Sequence, residues 1–217
     1  MLDFVNTFKK YEALVYKVEK SVRQIQESNP DCIRCTKHCS DCCYAVFELS
    51  LIESVYINVH FYSFLDKEKQ GLVLERAERA DRAYYKIKRK FQKMVFQEEK
   101  KEEEVFRLLA EERVRCPFLN EAALCDFYEY RPITCRAYGV PTAIQGTGHT
   151  CGKSGFKKGT LYPTINLDRI NERLLKLSEE LLTEIGSEDR QLQMRLLPVS
   201  TSLLSLYDEE FFGLPIG

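Results

Sequence analysis

"CIRCTKHCSDCC", residues 32–43, holds five of the nine cysteines of the chain. Cys32 and Cys35 share the Cys-x-x-Cys spacing with Cys39 and Cys42, and a tight turn with this spacing directs two sulfurs to one point. Zinc and cubane iron-sulfur clusters each need about four thiolates. The stretch therefore indicates metal chelation more strongly than buried or redox-sensing thiols.

The rest of the composition favours a reducing compartment. The chain has 217 residues and a net charge of −1, and its start, MLDFVNTFKK, is too polar for a secretory signal. No run of ~18 apolar residues predicts a membrane span. We therefore expect a cytoplasmic protein, where structural disulfides are rare and an odd number of cysteines is no obstacle. The charge gives no reason to expect nucleic acid or a membrane as partner, and a protein partner stays unidentified.

Two helices are predicted around the cysteine run. Apolar residues recur at alternating steps of four and three, which predicts a first helix with a narrow apolar seam; they are Phe4, Phe8, Tyr11, Val15, Val18, Val22 and Ile25. Asn29 and Pro30 end this helix. Ser50 and Glu53 have capping-box spacing in front of the apolar run 51–65, so a second helix begins there.

A third, charged helical region follows. Asp66 is placed to cap it, and the helical pattern continues to about Val114, with a possible break near residues 97–101. The pair Cys116-Pro117 then ends the pattern, because proline disfavours helix for the residue before it.

The segment 116–165 has a different texture. Six of the ten glycines lie in 139–159, apolar runs are short, and loops with short strands are expected. The segment also holds the remaining cysteines: Cys116, Cys125, Cys135 and Cys151. Asn166 or Asp168 then caps a last amphipathic helix that closes near Gly186, and the apolar C-terminal residues are expected to pack on the core.

The predicted fold class is mainly α, a helical domain with an irregular cysteine-rich metal-binding layer and a few short strands. We expect one domain over residues 1–217. Its parts are an N-terminal helix in 1–29, metal-binding loops in 30–49 and 116–165, and helical regions in 50–115 and 166–217.

The wide spacing of the four downstream cysteines is by itself weak evidence for a metal. It gains weight because an irregular stretch of about fifty residues is unusual in a compact domain unless something holds it together. A bound metal would do so, and basic residues near the cysteines would balance the charge of the thiolates. Basic residues within four positions of a cysteine are Arg34, Lys37, Arg113, Arg115, Arg131, Arg136 and Lys153.

Together these motifs resemble a known family. The matching residues are the run Cys35, Cys39, Cys42 and Cys43, the motif CPFL at 116–119, Cys125, and YEYRPITCRAYG at 128–139. This combination resembles the YkgJ-type cysteine-cluster family, which is described as zinc- or iron-chelating and shares a module with flagellin lysine methylases. The resemblance covers roughly residues 32–151.

The resemblance implies a set of eight metal ligands: Cys35, Cys39, Cys42, Cys43, Cys116, Cys125, Cys135 and Cys151. Cys32 is an addition to the family pattern, and its part in binding stays open. If the backbone there is extended, the adjacent Cys42 and Cys43 point in different directions and serve different metals. Eight thiols then make two sites, and the alternative is one site with spare buried cysteines.

Two other motifs do not fit the chain. Cys35, Cys39 and Cys42 have the spacing of a radical S-adenosylmethionine enzyme, but Asp41 stands where those enzymes favour an aromatic residue, and the strand-helix repeats of their barrel are missing. GKS at 152–154 lacks the earlier glycine of a phosphate-binding loop. A turn beside Cys151 is the better interpretation.

The three histidines are weaker candidates. His60 lies within an apolar run, which favours a packed side chain over a ligand. His38 and His149 flank cysteines, so each could replace a thiolate.

The leading functional hypothesis is metal binding through clustered cysteines, with zinc or an iron-sulfur cluster as the cofactor. Two alternatives stay open. One is an iron-sulfur redox enzyme or a protein lysine methyltransferase related to flagellin methylase, although no catalytic residue or further cofactor motif can be named. The other is an interaction module built on structural zinc.

Overall fold

The structure is a computed structural model that describes residues 2–96 and 102–215. The helices are α1 (Val5–Ser28), α2 (Leu51–Phe64), α3 (Lys67–Phe96), α4 (Glu102–Glu111), α5 (Ile133–Ala137), α6 (Leu167–Glu184) and α7 (Val199–Leu204). The strands are β1 (Glu48–Leu49), β2 (Thr142–Ile144), β3 (Thr147–His149), β4 (Ile165–Asn166) and β5 (Leu197–Pro198). The mainly α fold predicted from the sequence is confirmed.

Helix α1 follows the predicted seam. Tyr11, Val18, Val22 and Ile25 are buried along one face, and the helix ends at Ser28, just before the predicted stop. Its N-terminal amides are capped from another helix, since the carboxylate of Glu184 accepts hydrogen bonds from the backbone of residues 6 and 7 at 3.1 and 3.0 Å. This contact with the end of α6 fixes the axis of α1.

Helix α2 begins at Leu51, as the capping box predicts, and lies at the centre of the molecule. All of its first eight residues are buried. Two core clusters meet on it: Val55 belongs to one that also contains α1 and α6, while Ile57 and Phe61 belong to one that contains α3 and α7. Burying a large apolar side chain contributes about 1.5–3 kcal/mol, so α2 is the element on which the others are assembled.

Asp66 caps α3 as predicted, with its Oδ1 accepting from the backbone N–H of Lys69 at 2.9 Å. Val73 and Ala77 are buried in the first half of the helix, whereas most side chains beyond residue 81 are exposed. The predicted break near residues 97–101 lies outside the described residues. Helix α4 ends at Glu111, so the chain leaves helical structure shortly before the predicted stop at Cys116-Pro117.

The cysteine-bearing segment is irregular with short strands, as predicted. In one small sheet, β2 pairs antiparallel with β3 and parallel with β4. The segment also contains α5, a short helix that the sequence analysis did not predict. Helix α6 ends next to Gly186, which has a φ of +76°, as predicted; the difference in the predicted helical region 166–217 is that the chain forms β5 before α7.

Strands β1 and β5 form a second antiparallel pair, which joins the chain before α2 to the chain before α7. Among the described helices, none combines the length and the apolar character that crossing a membrane requires.

Candidate metal centre

All eight predicted ligands line one cavity of about 790 Å³: Cys35, Cys39, Cys42, Cys43, Cys116, Cys125, Cys135 and Cys151. The chain therefore brings together thiols that lie more than one hundred residues apart in the sequence. Helix α1 forms part of the wall through Val22, and aromatic side chains of Phe118 and Phe127 form another part.

Cys32 has a different environment. It is not among the residues that line the cavity, and its side chain packs against the core cluster of α1. Its carbonyl accepts a hydrogen bond from the backbone N–H of Gly155 at 2.8 Å. A Cβ at Gly155 would lie 2.8 Å from the Cys32 Cα, so only glycine allows this approach. Cys32 thus holds the loop that follows Cys151.

All nine cysteines are free thiols in the structure. Among the residues that the structure describes, no three His, Cys, Asp or Glu side chains are arranged to hold a metal ion as they stand. The cavity thus gathers the thiols, and metal binding would require their sulfurs to move closer together. The donor set still fits soft or borderline metals, because thiolates select zinc and iron-sulfur clusters over hard cations.

A short backbone ladder brings the two cysteine segments together. The N–H of Cys116 donates to the carbonyl of Cys43 at 2.7 Å, and the N–H of Val114 donates to the carbonyl of Tyr44 at 3.0 Å. Ala45 and Arg113 form an antiparallel bridge beyond them. This ladder places the adjacent pair Cys42 and Cys43 beside the start of the downstream segment.

Two Cys-x-Phe turns present Cys116 and Cys125. In each turn the backbone N–H of the phenylalanine lowers the pKa of the cysteine two residues earlier, Phe118 that of Cys116 and Phe127 that of Cys125. The two rings are buried and stacked, with centroids 4.7 Å apart and planes at 14°. The sulfurs are therefore positioned by backbone that is anchored in the core, and the N–H donors favour the thiolate form.

Arg76 of α3 holds these two turns together. Its guanidinium donates to the carbonyl of Leu119 at 2.7 Å and pairs with the carboxylate of Asp126 at 2.9 Å. Only 12% of the Arg76 side chain is exposed, so this ion pair is shielded from water. Helix α3 thereby fixes the segment that bears Cys116 and Cys125.

Cys135 lies on α5, and buried Glu53 holds the start of that helix. The Glu53 carboxylate accepts from the backbone N–H of Ile133 at 3.0 Å and from the hydroxyl of Ser50 at 3.1 Å. Burial raises the pKa of Glu53, against the opposing effect of these hydrogen bonds. Ser50 makes no side-chain hydrogen bond to the N-terminal backbone of α2, and Glu53 of the predicted capping box holds a second helix, which the sequence did not reveal.

We call Cys42, Cys116, Cys125 and Cys135 the inner group. Burial raises the pKa of the Cys116 thiol to about 12 and raises that of Cys135 well above its usual value. The next largest effects on the pKa of Cys135 come from the charges of the other three members. A hydrogen bond with Cys43 and then burial raise the pKa of Cys42.

We call Cys35, Cys39 and Cys151 the outer group. Cys35 is exposed as a whole residue, but its thiol is partly shielded from water. This partial burial, followed by the charges of Cys39 and Cys151, raises the pKa of the thiol. The sulfur of Cys151 accepts from the backbone N–H of Lys153 at 3.4 Å. Gly139 has a φ of +98°, and a Cβ there would lie 2.4 Å from the Cys35 sulfur. Glycine at 139 therefore makes room for this thiol.

Asp41 ties the outer loops together. Its carboxylate accepts from Tyr138 at 2.9 Å and pairs with Arg113 at 2.8 Å and Lys153 at 3.2 Å. Burial opposes ionisation, but the hydrogen bonds from Tyr138, Lys153 and Arg113 hold the pKa of Asp41 below its usual value. The Cys151 sulfur lies 3.8 Å from the same carboxylate. Asp41 thus connects the cysteine run to the segments that carry Arg113 and Cys151.

The arginine side chains that line the cavity differ in how many of their N–H donors have hydrogen-bond acceptors. Arg136 is fully engaged, since its Nε donates to the carbonyl of Arg131 at 2.8 Å and its Nη atoms bond Glu19 and the carbonyl of Glu129. Arg131 stacks on Tyr128, with its guanidinium carbon 3.8 Å from the ring centre. Its buried Nε has no hydrogen-bond partner within the described part of the chain.

The histidines do not join the cavity lining. His38 and His149 are exposed and are not among the lining residues. His60 is half-buried, with Nδ1 2.8 Å from the carbonyl of Tyr56, in agreement with the packed side chain favoured from the sequence.

Sequence reasoning missed Asp41, Glu53 and Gly139 as supports of the cysteines, and also the phenylalanines of the two turns. One signal was available: Cys-x-Phe occurs at 116–118 and again at 125–127. Asp41 and Glu53 gave no comparable signal, because their partners are distant in the sequence.

The comparisons with known proteins agree with this arrangement. No curated protein and no solved structure matches the chain. A family model described as "CxxCxxCC: putative zinc- or iron-chelating domain" matches residues 34–152, which contain all eight cavity cysteines and exclude Cys32. The chain belongs to this CxxCxxCC family of zinc- or iron-chelating domains.

Proposed function

We propose that the protein binds zinc or an iron-sulfur cluster through the eight cavity cysteines. The observation that carries the proposal is their convergence on one cavity, while Cys32 lies outside it. Eight thiols that served only packing would have no reason to share a cavity. The family match supports a metal without deciding between zinc and iron.

The chain's own groups suit this role. The turns at Cys116 and Cys125 and the loop at Cys151 each direct a backbone N–H at the sulfur two residues earlier. Such donors stabilise the thiolate, which is the form that binds metal. When bound, zinc would supply a closed structural crosslink, whereas a cluster would supply electron transfer.

Loading requires a contraction of the cavity. A zinc-thiolate bond is about 2.3 Å long, so four sulfurs must approach a common point. The outer loops are held by polar contacts to Asp41, and this kind of contact adapts more easily than a packed core. Metal binding therefore contributes directly to the stability of this layer.

Anaerobic purification tests the proposal. The protein would be purified without chelators, its visible spectrum recorded, and zinc, iron and acid-labile sulfide measured per chain. Brown protein with stoichiometric iron and sulfide indicates a cluster, and colourless protein with stoichiometric zinc indicates structural zinc. Protein that contains neither, takes up neither metal on reconstitution and has freely reactive thiols overturns the proposal.

A second candidate is a metal-dependent redox enzyme. The observation that favours it is the cavity volume, about 790 Å³, which lies within the range of about 300–1,000 Å³ that is usual for small-molecule sites. Reversible reduction of a bound cluster, followed by a spectroscopic titration, would support this candidate. Protein that holds only zinc would contradict it.

A further inference from the structure

The C-terminal half of α3 carries a strong local charge. Between residues 82 and 96 the sequence has six Lys or Arg residues and no Asp or Glu. The whole chain has a net charge of −1, so the remaining residues are acidic and almost cancel this excess. The net charge therefore gives no reason to expect a polyanion as partner, whereas the distribution of charge along α3 does.

The two halves of α3 differ in how their cations are paired. In the first half, Arg79 pairs with Glu75 at 2.8 Å, one helical turn away. Among the cations of residues 83–96, only Lys90 has an ion-pair partner in the part of the chain that the structure describes, Glu112 at 2.6 Å. Like charges three or four residues apart on a helix repel each other, and a solvated helix face usually carries both signs. The second half therefore has a cost that an ordinary solvated face avoids.

Four of these cations lie on one side of the helix. Residues separated by steps of four and three share a side of a helix, and exposed cations recur here at steps of four, three and four. We call them the cationic stripe: Arg82, Lys86, Arg89 and Lys93. The stripe extends about 16 Å along the helix axis, and Arg82 at its base also contacts Glu78 at 3.6 Å. The buried side chain of Phe91 lies on the opposite side of α3, so the stripe faces solvent.

Exposed aromatic side chains accompany the stripe. The exposed fractions of Tyr85 and Phe96 are 60% and 79%. The guanidinium carbon of Arg89 lies 6.0 Å from the centre of the Tyr85 ring, and Phe96 follows Lys93 by three residues. Both rings therefore lie beside cations of the stripe. This combination suits a single-stranded nucleic acid, because its phosphates attract cations and its bases stack on exposed aromatic rings.

We propose that this face of α3 binds single-stranded nucleic acid, with the cationic stripe along the phosphates and with Tyr85 and Phe96 as stacking surfaces for bases. The stripe presents a cation every 4.5–6 Å or so along the axis, roughly 5 Å on average, which suits a polymer with one negative charge per nucleotide. Contacts to phosphates and to the faces of bases carry little sequence information, so binding is largely independent of sequence. The inference goes beyond metal binding and does not require a metal in the cavity.

Two other negatively charged partners fit this face less well. A helix that lies in a membrane surface inserts an apolar face, whereas the apolar side chains of Val73, Ala77 and Phe91 are buried within the protein. An acidic peptide would be attracted by the cations but would leave the rings of Tyr85 and Phe96 without bases to stack on. The exposed rings therefore favour a nucleic acid over both.

The experiment measures binding of the full chain to fluorescein-labelled DNA and RNA single strands of about twelve nucleotides, by fluorescence anisotropy. Each phosphate contact to a single strand contributes about −0.7 to the slope of log affinity against log salt concentration. Four contacts predict a slope of about −3, so the affinity should fall about 50-fold between about 50 and 200 mM salt. A slope near zero, or no binding at ~100 μM protein in low salt, overturns the proposal.

A charge variant tests the stripe itself. It removes three cations together: Lys86→Gln, Arg89→Gln and Lys93→Gln. We expect the slope to fall to about −0.7 and the affinity in low salt to fall at least about tenfold. The matched control makes the same change in net charge at three exposed lysines of α1: Lys9→Gln, Lys17→Gln and Lys20→Gln. The control should keep the slope and affinity of the unaltered chain, and equal losses in the two variants overturn the role of the stripe.

The variants Tyr85→Ser and Phe96→Ser test the stacking. Each should lower the affinity about tenfold and leave the salt slope unchanged, since a ring carries no charge. Both side chains are exposed, so these variants should fold, and circular dichroism confirms this. Unchanged affinity in both variants, together with equal competition by polyglutamate, overturns the proposal in favour of an acidic protein partner.

Two further measurements complete the test. Tighter binding to phosphatidylserine vesicles than to either single strand overturns the proposal in favour of a membrane surface. Metal content is measured on the same samples, and the stripe variants should keep the metal content of the unaltered chain. A chain without metal that still binds single strands contradicts the proposed function alone, and a metal-loaded chain that binds no strand contradicts this inference alone.

Discussion

Three inner thiols, Cys116, Cys125 and Cys135, sit on turns and a short helix supported by buried side chains, whereas the outer group sits on loops tied by polar contacts. Phe118, Phe127 and Glu53 support the inner thiols from the core side. Asp41 supports the outer loops, with partners that include the partly exposed Arg113 and Lys153. Burial is insensitive to salt, while exposed ion pairs are screened, so the two groups should respond differently to perturbation.

The largest expected effect is a difference between Cys135→Ser and Cys151→Ser. Under the proposed function, removing Cys135 takes away a ligand, and structural zinc binding contributes on the order of 10 kcal/mol in small zinc-binding domains. We expect this variant to lose bound metal and its cooperative thermal transition. Cys151→Ser should keep a cooperative transition and part of the metal. Metal analysis and circular dichroism on both variants measure the difference, and equal losses would contradict the division into two groups.

A smaller effect is expected from removing the Glu53 carboxylate, which holds the start of α5 and so supports Cys135. Glu53→Ala leaves the N–H of Ile133 without its acceptor in a buried site, which should destabilise the protein by about 2–3 kcal/mol. Chemical denaturation measures this value. A loss below about 0.5 kcal/mol would show that α5 does not depend on Glu53.

The pH dependence of Glu53 sharpens the same point. Its folded pKa is raised, so the folded state binds a proton more tightly than the unfolded state. This contribution to stability is fully present below the unfolded value of about 4.3 and is lost as the pH rises through the folded pKa. The free energy of unfolding of the wild type, minus that of Glu53→Gln, should therefore decline as the pH rises above ~4.3. Denaturation series at several pH values test this, and a constant difference would contradict it.

In the outer group, Gly139→Ala tests whether metal binding depends on the space that Gly139 leaves for the Cys35 sulfur. Alanine at a φ of +98° should destabilise by about 1–2 kcal/mol, and its Cβ would also displace the Cys35 sulfur. The matched control is Gly159→Ala, since Gly159 has a φ of +84° and nothing within 4 Å of the added Cβ. We expect weaker metal binding in Gly139→Ala only. Equal metal affinity in both variants would show that the position of Cys35 is unimportant.

The smallest expected effect is that of Cys32→Ser. Cys32 lies outside the cavity and contacts the following loop through its backbone, which serine preserves. Its partly buried side chain should lose no more than about 1 kcal/mol, with unchanged metal content. Metal loss equal to that of Cys135→Ser would make Cys32 a ligand.

The sequence predicts well those features that depend on neighbouring residues. Local periodicity and capping predict the seam of α1, the start of α2 directly after Ser50, the cap of α3 at Asp66 and the cap of α6 at Asn166. The eight cysteines could be selected by motif, and their sharing of one cavity agrees with that selection.

What the sequence does not predict depends on contacts between distant residues. Helix α5 spans five residues, too few for a periodic pattern, and its N-terminus is held by Glu53, eighty positions away. In the sequence, Asp41 and Arg131 look like ordinary surface charges. The fold shows that the Asp41 carboxylate has three partners. It also shows that the buried Nε of Arg131 has no hydrogen-bond partner among the described residues. The division of the thiols into groups is likewise a property of the fold.

The backbone ladder joins residues 43–45 to residues 113–116, so the two ends of the intervening chain meet beside the cavity. Whatever number of turns α3 and α4 contain, the chain returns to the same two hydrogen bonds before it reaches Cys116. Matched insertions or deletions in the exposed C-terminal half of α3 and in α4 would alter the reach of these helices and leave the thiols in place. The length of α3 and α4 can therefore change during evolution without a change in the positions of the cavity cysteines.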